Sequence, residues 1–367
     1  MGKGFGRHRR PIGKVVFMHK CLITLMTKRC DTIEGERFYL AETISRLEQA
    51  GFTVDVCWVD AENEDHFIQQ LQGAEVVFCS GNPPITRRVL ENCPGLKLVQ
   101  RDGIGVDSID AQAATDCGVI VCNVVGYCVE ELAVNALSMA LSNLRNTARY
   151  DRRMRLGQWP KGAERAPRRL STLTFGLFGF GGSGVALAKM VKNGFGCRVL
   201  AYDPYPNTAL ANELGVELVC FEEMLAGSDI VSIHAPLTES TYHVFDSKAF
   251  AQMRPNAILV NISRGGIIDE QALADALEAG VIDSAGLDVF EHEPLSSDSP
   301  LLRLEQTILS PHSSFQGVEA KKEQVCISTE LPARIIFEKK LYTKYLVNKP
   351  VLERLEGYEV IATAPFL

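Results

Sequence analysis

Three ionisable residues stand just beyond short apolar runs in the second half of the chain. Arg264 follows AILVNIS, Glu293 lies in the loop beyond SAGLDV, and His312 follows TILSP. In an open parallel sheet, ligands bind outside the carboxyl ends of the strands, so these positions are candidates for chemistry. A histidine can give or take a proton, a carboxylate can hold the imidazole, and an arginine can bind a carboxylate or a carbonyl oxygen.

This set suits the transfer of a hydride to or from a carbon atom that carries oxygen, with a nicotinamide cofactor as the hydride carrier. Asp288, at the end of SAGLDV, is a further polar residue at a strand end. Each residue also has an ordinary interpretation: Arg264 as a surface ion pair, Glu293 as a solvated loop residue, His312 as a turn residue. Zinc ligation by His292 is disfavoured, because no further Cys or His stands at ligand spacing.

A glycine-rich segment, GLFGFGGSG at 176–184, predicts the binding site for that cofactor. Gly179, Gly181 and Gly184 have the spacing G-x-G-x-x-G between an apolar run and the helical pattern VALAKMVKN. These glycines permit a tight turn, the approach of a pyrophosphate to the backbone and close packing of helix on strand. Asp203 ends the next apolar run, where a carboxylate binds a ribose 2′-hydroxyl and repels a 2′-phosphate. NAD(H) is therefore favoured over NADP(H); the alternative is that Asp203 caps its own turn, DPYP.

The candidate site residues follow predicted strands, and the sequence predicts two parallel sheets that would position them. Short β-branched runs alternate with helical patterns in both halves of the chain, which indicates parallel sheets covered on both faces. The long pattern at 129–144 has apolar residues at spacings of three and four, as in an amphipathic helix. Residues 317–338 also have a helical pattern, which Pro332 is expected to bend or break. The strand candidates are 14–18, 53–59, 74–79, 97–101, 119–124, 173–178, 197–202, 230–235, 257–262, 284–289 and 307–310.

The composition sets the class of protein. The 367 residues suffice for two domains, and 46% hydrophobic with 23% charged residues is ordinary for a soluble globular protein. A net charge of -7 argues against a general affinity for nucleic acid, with local basic runs at 6–10 and 149–155 as exceptions. The cysteines are scattered without a C-x-x-C pair, and no apolar run approaches the ~18 residues of a membrane span. We expect a cytoplasmic protein that binds neither nucleic acid nor membrane.

Seven motifs, in order along the chain, carry a resemblance to a known family. They are RDGIGVDSID (101–110), VVGYCVEELA (124–133), GLFGFGGSG (176–184) with AYDPY, HAPLTESTYH (234–243), NISRGGIIDE (261–270), GLDVFEHEP (286–294) and SPH (310–312). Together they resemble the D-isomer-specific 2-hydroxyacid dehydrogenase family, which includes D-3-phosphoglycerate dehydrogenase and glyoxylate/hydroxypyruvate reductase. The resemblance implies interconversion of a D-2-hydroxy acid and its 2-oxo acid with NAD(H).

The resemblance also implies an α/β fold of two doubly wound parallel-sheet domains. A Rossmann NAD domain, residues 125–312, is inserted in a flavodoxin-like substrate domain, residues 1–124 and 313–367, with the active site in the cleft between them. Residues 125–165 resemble the family's dimerisation arm. A homodimer is therefore expected, with the basic run at 149–155 facing the partner.

Roles for individual residues follow from the same resemblance. Arg264 would orient the 2-oxo acid, His312 would be the general acid or base, and Glu293 would hold the imidazole and stabilise its protonated form. The backbone N–H groups of Ile104 and Gly105 would anchor the substrate carboxylate, which Arg264 and His312 also contact. The residues implied to contact the cofactor are Gly179, Gly181, Gly182, Ser183, Gly184, Asp203, His234, Ala235, Pro236, Ile262, Ser263, Arg264, Asp288 and His312, of which Asp288 resembles the aspartate that contacts the nicotinamide carboxamide.

Three positions depart from the family pattern. Ser183 replaces a usually aliphatic residue, which is expected to change only local packing. Asn135 stands where relatives often carry His, and no function is attached to it. Asp102 puts a carboxylate beside the substrate anchor, which disfavours a phosphorylated substrate such as 3-phosphoglycerate. The long C-terminal regulatory extension of some phosphoglycerate dehydrogenases is not expected here.

Two alternative functions share these motifs. An NADH-sensing interaction protein of the corepressor type resembles the same family, and the lack of a long polar tail favours metabolism over it. A formate dehydrogenase has a glutamine where Glu293 stands, so the carboxylate disfavours that function. The identity of the 2-oxo acid stays open, with SGNPPIT (80–86) expected to form a wall of the cleft.

Overall fold

A computed structural model describes residues 19–26, 30–160 and 166–362. The described chain divides into two compact units. Unit 1 consists of the residues up to Val125 and those from Lys322 onward, and unit 2 is Gly126–Lys321. The strand predicted at 14–18 and the basic run at 6–10 lie outside the described residues.

The sheet of unit 1 has five parallel strands: β1 (His19–Leu25), β2 (Phe52–Trp58), β3 (Val76–Ser80), β4 (Leu98–Arg101) and β5 (Ile120–Cys122). Their spatial order is β2-β1-β3-β4-β5. This is the doubly wound order of flavodoxin-like sheets. The helices between the strands are α1 (Ile33–Tyr39), α2 (Ala41–Gln49), α3 (Glu64–Leu71), α4 (Arg87–Glu91) and α5 (Ala111–Asp116).

The sheet of unit 2 has seven parallel strands: β6 (Thr174–Phe178), β7 (Arg198–Tyr202), β8 (Glu217–Leu218), β9 (Ile230–Ile233), β10 (Ile258–Asn261), β11 (Ser284–Leu287) and β12 (Thr307–Leu309). Their order, β12-β11-β10-β9-β6-β7-β8, reverses direction at β6 as in a Rossmann sheet. The helices are α6 (Val129–Arg145), α7 (Thr147–Arg155), α8 (Gly182–Phe195), α9 (Thr208–Leu214), α10 (Phe221–Gly227), α11 (Ser247–Gln252) and α12 (Glu270–Glu278). The predicted fold class is thereby confirmed, although the two-residue strand β8 was too short to produce a sequence pattern.

The sheet of unit 2 has an apolar core on each face. Successive residues of a strand point to opposite faces, and Leu259 and Val260 of β10 accordingly belong to two different buried clusters. The predicted apolar face of α6, including Ala133 and Ala140, lies in the same cluster as Val260. This burial on both faces explains why the strands appear in the sequence as continuous apolar runs rather than alternating ones.

The last part of the chain differs from its prediction. Helix α13 (Val318–Ile336) contains Pro332 and continues past it, so the expected break is wrong. Proline removes one backbone donor, and burial of Leu331 and Ile335 on either side of it compensates for that loss. Two short strands, β13 (Lys340–Tyr342) and β14 (Glu359–Ile361), then pair in parallel. Within the described ranges no helix has both the length and the apolar character needed to cross a membrane.

Candidate active site

The three residues predicted to carry the chemistry follow three adjacent strands of unit 2. Arg264 lies three residues beyond β10, Glu293 lies in the loop after β11, and His312 lies three residues beyond β12. These strands are neighbours in a parallel sheet, so their carboxyl ends share one edge. The structure therefore brings the three segments together at the edge where parallel sheets bind ligands.

His312 and Glu293 form a direct pair. The Nδ1 atom of His312 lies 2.7 Å from Oε2 of Glu293, and both side chains are 35% exposed. Burial raises the pKa of Glu293, but the hydrogen bonds from His312 and from the Phe290 N–H, together with the positive charges of His312 and Arg264, outweigh burial and lower it overall. Because Nδ1 is occupied by the carboxylate, Nε2 is the ring nitrogen that can exchange a proton with a ligand.

The backbone around His312 is held by Asp288, whose side chain is 0% exposed. Its carboxylate accepts hydrogen bonds from the N–H groups of Ser313 and Ser314, both at 2.9 Å, and from the Ser310 hydroxyl. The Asp288 carbonyl accepts the His312 N–H at 2.7 Å. His312 has φ of 50°, a left-handed conformation that a non-glycine residue keeps only when its surroundings hold it. A contact between Asp288 and the nicotinamide stays a prediction; what the carboxylate holds here is the His312 segment.

A second contact fixes the same segment. Asn135 of α6 donates from Nδ2 to the hydroxyl of Ser314, which is buried. Asn135 carried no function in the sequence analysis, and the only signal was its departure from the family pattern. The hydrogen bond makes it part of the support of His312.

The Arg264 segment is shaped by two neighbours: Asn261, which had no predicted role, and Gly265, the first of two glycines expected to free the backbone beside Arg264. Asn261, fully buried at the end of β10, accepts the Ser263 N–H at 3.0 Å and donates to the Arg264 carbonyl at 2.8 Å. A Cβ atom on Gly265 would lie 1.8 Å from the carbonyl carbon of Phe290, so only glycine permits this approach. Gly265 thus lets the Arg264 segment pack against the loop that carries Glu293. A polar residue ending a buried strand and a glycine after the arginine were the available signals.

The glycine loop has the form of a dinucleotide cradle. Gly179 has φ of 101°, and a Cβ there would lie 2.7 Å from the Ala235 nitrogen. A Cβ on Gly184 would lie 2.4 Å from the Gly179 oxygen, whereas one on Gly181 would meet no described atom within 4 Å. Helix α8 begins after Gly181 without a side-chain cap, which leaves its first N–H groups for an anion. These residues fit the pyrophosphate of a dinucleotide.

Asp203 reaches the glycine loop and its own turn at once. One carboxylate oxygen accepts the Phe180 N–H at 2.8 Å, and the other accepts the Tyr205 N–H at 2.8 Å. The turn-capping alternative is therefore present in the structure. Each carboxylate oxygen has a second lone pair, so these bonds leave acceptor capacity for ribose hydroxyls.

The remaining predicted cofactor residues follow β9 and β10. His234 lies against the glycine loop, with Nδ1 3.0 Å from the Ser183 hydroxyl and Nε2 2.9 Å from the Ser232 hydroxyl. Burial lowers the pKa of His234 to about 4, so the ring is neutral near pH 7. The expectation that Ser183 changes only local packing is wrong, because Ser183 has this polar partner. The Ser263 hydroxyl donates to the Ala235 carbonyl, which joins the loop after β10 to the loop after β9. Of the other predicted cofactor residues, Pro236 and Gly182 are exposed and Ile262 is buried.

In unit 1, the predicted substrate anchor is the loop 102–105, here named the anchor loop. All four of its carbonyl oxygens accept hydrogen bonds from the protein, with the donors Arg101, Gln324, Val124 and Asn123. Within the described part of the chain, the N–H groups of Ile104 and Gly105 donate to no protein acceptor. The loop therefore presents donors without competing acceptors, which is the arrangement that binds an anion.

Across the described ranges, no three or more His, Cys, Asp or Glu side chains are grouped so that they could hold a metal ion. His292 is exposed.

Comparisons with known proteins agree with the site geometry. The sequence matches the family model described as D-isomer specific 2-hydroxyacid dehydrogenase, NAD binding domain, over residues 137–314, and the model for the catalytic domain of the same family over residues 37–135. A glyoxylate reductase from Korarchaeum cryptofilum is 36% identical over 323 residues, which cover 86% of this chain and 96% of the relative.

Other relatives share part of their length or the fold. A D-3-phosphoglycerate dehydrogenase from Mycobacterium leprae is 36% identical over 277 residues, which cover 76% of this chain and 52% of the relative. The chain thus spans about half the length of such relatives. The crystal structure of the holo form of D-mandelate dehydrogenase from Rhodotorula graminis matches with a TM-score of 0.77 and 25% identity, covering 90% of this chain and 97% of that one.

Proposed function

Because the chain belongs to the D-isomer specific 2-hydroxyacid dehydrogenase family, we propose that it interconverts a D-2-hydroxy acid and its 2-oxo acid with NAD(H). The observation that carries this proposal is the 2.7 Å contact between His312 and Glu293, beside the positive charge of Arg264. A positioned acid or base, its carboxylate partner and a cation are the groups that this reaction needs. Unit 2 is assigned to the cofactor and unit 1 to the anchoring of the substrate.

Each residue has a role that its surroundings support. When bound, the nicotinamide supplies or accepts the hydride. His312 gives a proton from Nε2 to the 2-oxo oxygen during reduction and takes it back during oxidation, while Glu293 stabilises the protonated ring through Nδ1. Arg264 binds the carboxylate and carbonyl oxygens of the substrate through its planar guanidinium. The N–H groups of Ile104 and Gly105 receive the substrate carboxylate.

The proposal extends to the choice of cofactor. The glycine loop, opened by Gly179 and Gly181, receives the pyrophosphate at the start of α8. The Asp203 carboxylate accepts a hydrogen bond from a ribose 2′-hydroxyl and repels a 2′-phosphate, which favours NAD(H) over NADP(H). His234, Ser263 and the residues after β9 and β10 complete the contacts.

The substrate class is narrowed by the charge of Asp102. This aspartate opens the anchor loop and is half-buried, so its negative charge would repel a second anionic group of a substrate bound at the anchor. A 2-oxo acid without phosphate is therefore proposed.

A homodimer through the arm at 125–165 is also proposed. Four large apolar side chains of the described part of this arm are exposed in the chain by itself: Val134 at 49%, Met154 at 46%, Leu156 at 74% and Trp159 at 76%. Exposed apolar groups of this size suit burial against a second copy. The arginines 149, 152 and 153 contact residues 305–307 of their own unit, which supports the apolar residues rather than the basic run as the partner contact. Light scattering of the wild type and of Trp159→Ser tests this assembly.

A panel of 2-oxo acids tests the proposed activity. Glyoxylate, hydroxypyruvate, pyruvate, phenylpyruvate and 2-ketogluconate are offered with NADH, and oxidation of the cofactor is followed by its absorbance. Turnover of at least one of them is expected, with 3-phosphohydroxypyruvate as the phosphorylated comparison. NADH binding without any turnover would reject the enzyme and favour the NADH-sensing interaction protein.

A further inference from the structure

The guanidinium of Arg101 lies inside the anchor loop of unit 1. Its Nε donates to the carbonyl of Gly105 at 3.1 Å, and its Nη1 donates to the carbonyl of Asp102 at 3.0 Å. The same Nη1 donates to the carbonyl of Cys79, in the adjacent strand β3, at 3.1 Å. One side chain therefore joins the first residue of the loop, its last residue and the neighbouring strand.

The loop fits closely around this group. Gly103 has φ of 156°, and a Cβ at this position would lie 3.3 Å from both Cζ and Nη2 of Arg101. A side chain at Gly103 would therefore crowd the guanidinium. Arg101 is also the last residue of β4, so the strand fixes its backbone.

Arg101 holds the two outer peptide groups of the loop through the carbonyls of Asp102 and Gly105, and other donors hold the two central ones. A carbonyl oxygen that accepts from the half-buried guanidinium turns its negative end away from a ligand on the other side of the loop. Each peptide unit is planar, so inward-facing oxygens of Gly103 and Ile104 send the next N–H groups outward. Asn123 binds the Ile104 carbonyl at 2.7 Å and the Val124 N–H binds the Gly103 carbonyl at 2.9 Å, which completes the set.

We propose that Arg101 is a positioning residue of the substrate site, which holds the anchor loop so that the N–H groups of Ile104 and Gly105 bind the substrate carboxylate. The inference rests on the proposed function and deepens it, because that function assigns these N–H groups without saying what orients them. Arg101 acts through the backbone, whereas Arg264 is assigned to the substrate itself. A lysine cannot replace Arg101, since one ammonium group cannot span three carbonyl oxygens in a planar fork.

The kinetic test compares Arg101→Lys with the wild type on the best 2-oxo acid of the panel. We expect KM to rise about 10-fold, as for the loss of an aligned hydrogen-bonded anchor, with kcat within about threefold and NADH affinity unchanged. Arg87→Lys is the matched control, because Arg87 is an exposed arginine of the same unit whose partners are Asp116 and Glu91. An unchanged KM in Arg101→Lys would overturn the proposal, as would a kcat loss equal to that of Arg264→Lys.

A second measurement does not depend on turnover. Hydrogen exchange of the peptide that contains residues 101–110 is expected to accelerate about 10-fold or more in both Arg101→Lys and Arg101→Met, with the rest of unit 1 unchanged. Unchanged exchange in this peptide would overturn the inference even if the enzyme is active. If the wild type turns over no 2-oxo acid, the proposed function fails, and the exchange result still decides whether Arg101 holds the loop.

Discussion

Arg101 and Arg264 both lie at the carboxyl end of a parallel strand: Arg101 is the last residue of β4 in unit 1, and Arg264 lies three residues beyond β10 in unit 2. Arg101 donates to three backbone carbonyls around it. Arg264 donates from Nη1 to one backbone carbonyl, that of Ser263, at 2.7 Å. Its charge also reaches Glu293, where it adds to the His312 and Phe290 hydrogen bonds that lower the pKa of the carboxyl group against burial. A neighbouring glycine accompanies each arginine: Gly103 makes room for a guanidinium, and Gly265 makes room for a neighbouring backbone.

The comparison teaches that the two units build their sites from different groups. Unit 2 presents charged side chains at a sheet edge, held by buried groups such as Asp288 and Asn261. In unit 1, the charged side chain of Arg101 binds backbone carbonyls, and the backbone N–H groups of the anchor loop are the groups that face a ligand. Changes in unit 2 are therefore expected to alter kcat and its pH dependence, whereas changes in the anchor loop are expected to alter KM and local order.

Removal of His312 is expected to have the largest effect in unit 2. His312→Ala should lower kcat by ~10² to 10⁴, the usual loss when a general acid is removed, and leave NADH binding intact. Steady-state kinetics and NADH fluorescence titration measure the two quantities. His292→Ala, an exposed histidine of the neighbouring loop, is the control and should keep its activity. A kcat of His312→Ala within about threefold of the wild type would remove the acid-base role from this residue.

Glu293→Gln separates the charge of the pair from its shape. We expect kcat for reduction to fall by ~10², because the amide does not stabilise a protonated imidazole at Nδ1. The glutamine keeps the shape of the side chain and removes the negative charge that lies 2.7 Å from Nδ1 of His312. Steady-state kinetics measure kcat, with Glu239→Gln, an exposed glutamate, as control. A kcat of Glu293→Gln within about threefold of the wild type would show that the reaction does not use the charge of this pair.

The lowered pKa of Glu293 also predicts how the stability of the protein depends on pH. A carboxyl group whose folded pKa is depressed contributes stability that is present above its ordinary pKa and is lost as the pH falls through the lowered value. The wild-type pair should therefore persist at pH values where a free glutamate begins to take up a proton. The Tm values of the wild type and of Glu293→Gln, measured as a function of pH, should become equal only at pH values below the lowered pKa of Glu293.

Substitution of Asn135 tests how much its hydrogen bond to Ser314, which supports the His312 segment, contributes to kcat. Asn135→Ala should lower kcat about 3- to 10-fold, as expected from the loss of one buried hydrogen bond to the Ser314 hydroxyl, with NADH affinity unchanged. Asn135→His, which restores a donor, should recover most of the loss. The exposed Asn212→Ala serves as the control in the same unit. If Asn135→Ala keeps full kcat and an unchanged pH profile, the hydrogen bond does not position His312.

The fold and the strand-end residues could be predicted from the sequence because their signals are local. Apolar runs followed by helical patterns define a parallel sheet, and the glycine spacing with Asp203 marks the turn at β6. Strands β8 and β14 escaped prediction: they contain no buried residue, so neither forms the apolar run that marks the buried strands of similar length. Pro332 was given its usual local effect, which tertiary burial of α13 overrode.

The supporting residues of the site could not be predicted, because their roles depend on long-range contacts. Asn135 and Ser314 are 179 residues apart in the sequence, and Asn123 meets Ile104 across two strand ends. Arg101 stands within a family motif, yet no pattern in the chain says whether its guanidinium faces the ligand or the backbone. The three carbonyl contacts show that the guanidinium binds the backbone.

Asp203 gives the sharpest limit on the comparison, because it is a charged residue of unit 2 that binds backbone, as Arg101 does in unit 1. Asp203→Ala should reduce the preference for NADH over NADPH by about 10-fold, since a repulsion and an acceptor are both lost. The ratio of kcat/KM for the two cofactors measures this change, and Asp203→Asn, which keeps one acceptor oxygen without the charge, should give an intermediate ratio.

The two functions of Asp203 separate in that measurement. If both kcat/KM values fall together and their ratio is unchanged, the carboxylate serves the Phe180 and Tyr205 N–H groups alone. Asp203 would then shape a loop, as Asp288 does for the His312 segment, and would not be one of the charged side chains that unit 2 presents to a ligand. A changed ratio of the two kcat/KM values would show that Asp203 contacts the cofactor. Turn capping affects NADH and NADPH equally, whereas a 2′-phosphate is repelled only by a charge that faces it.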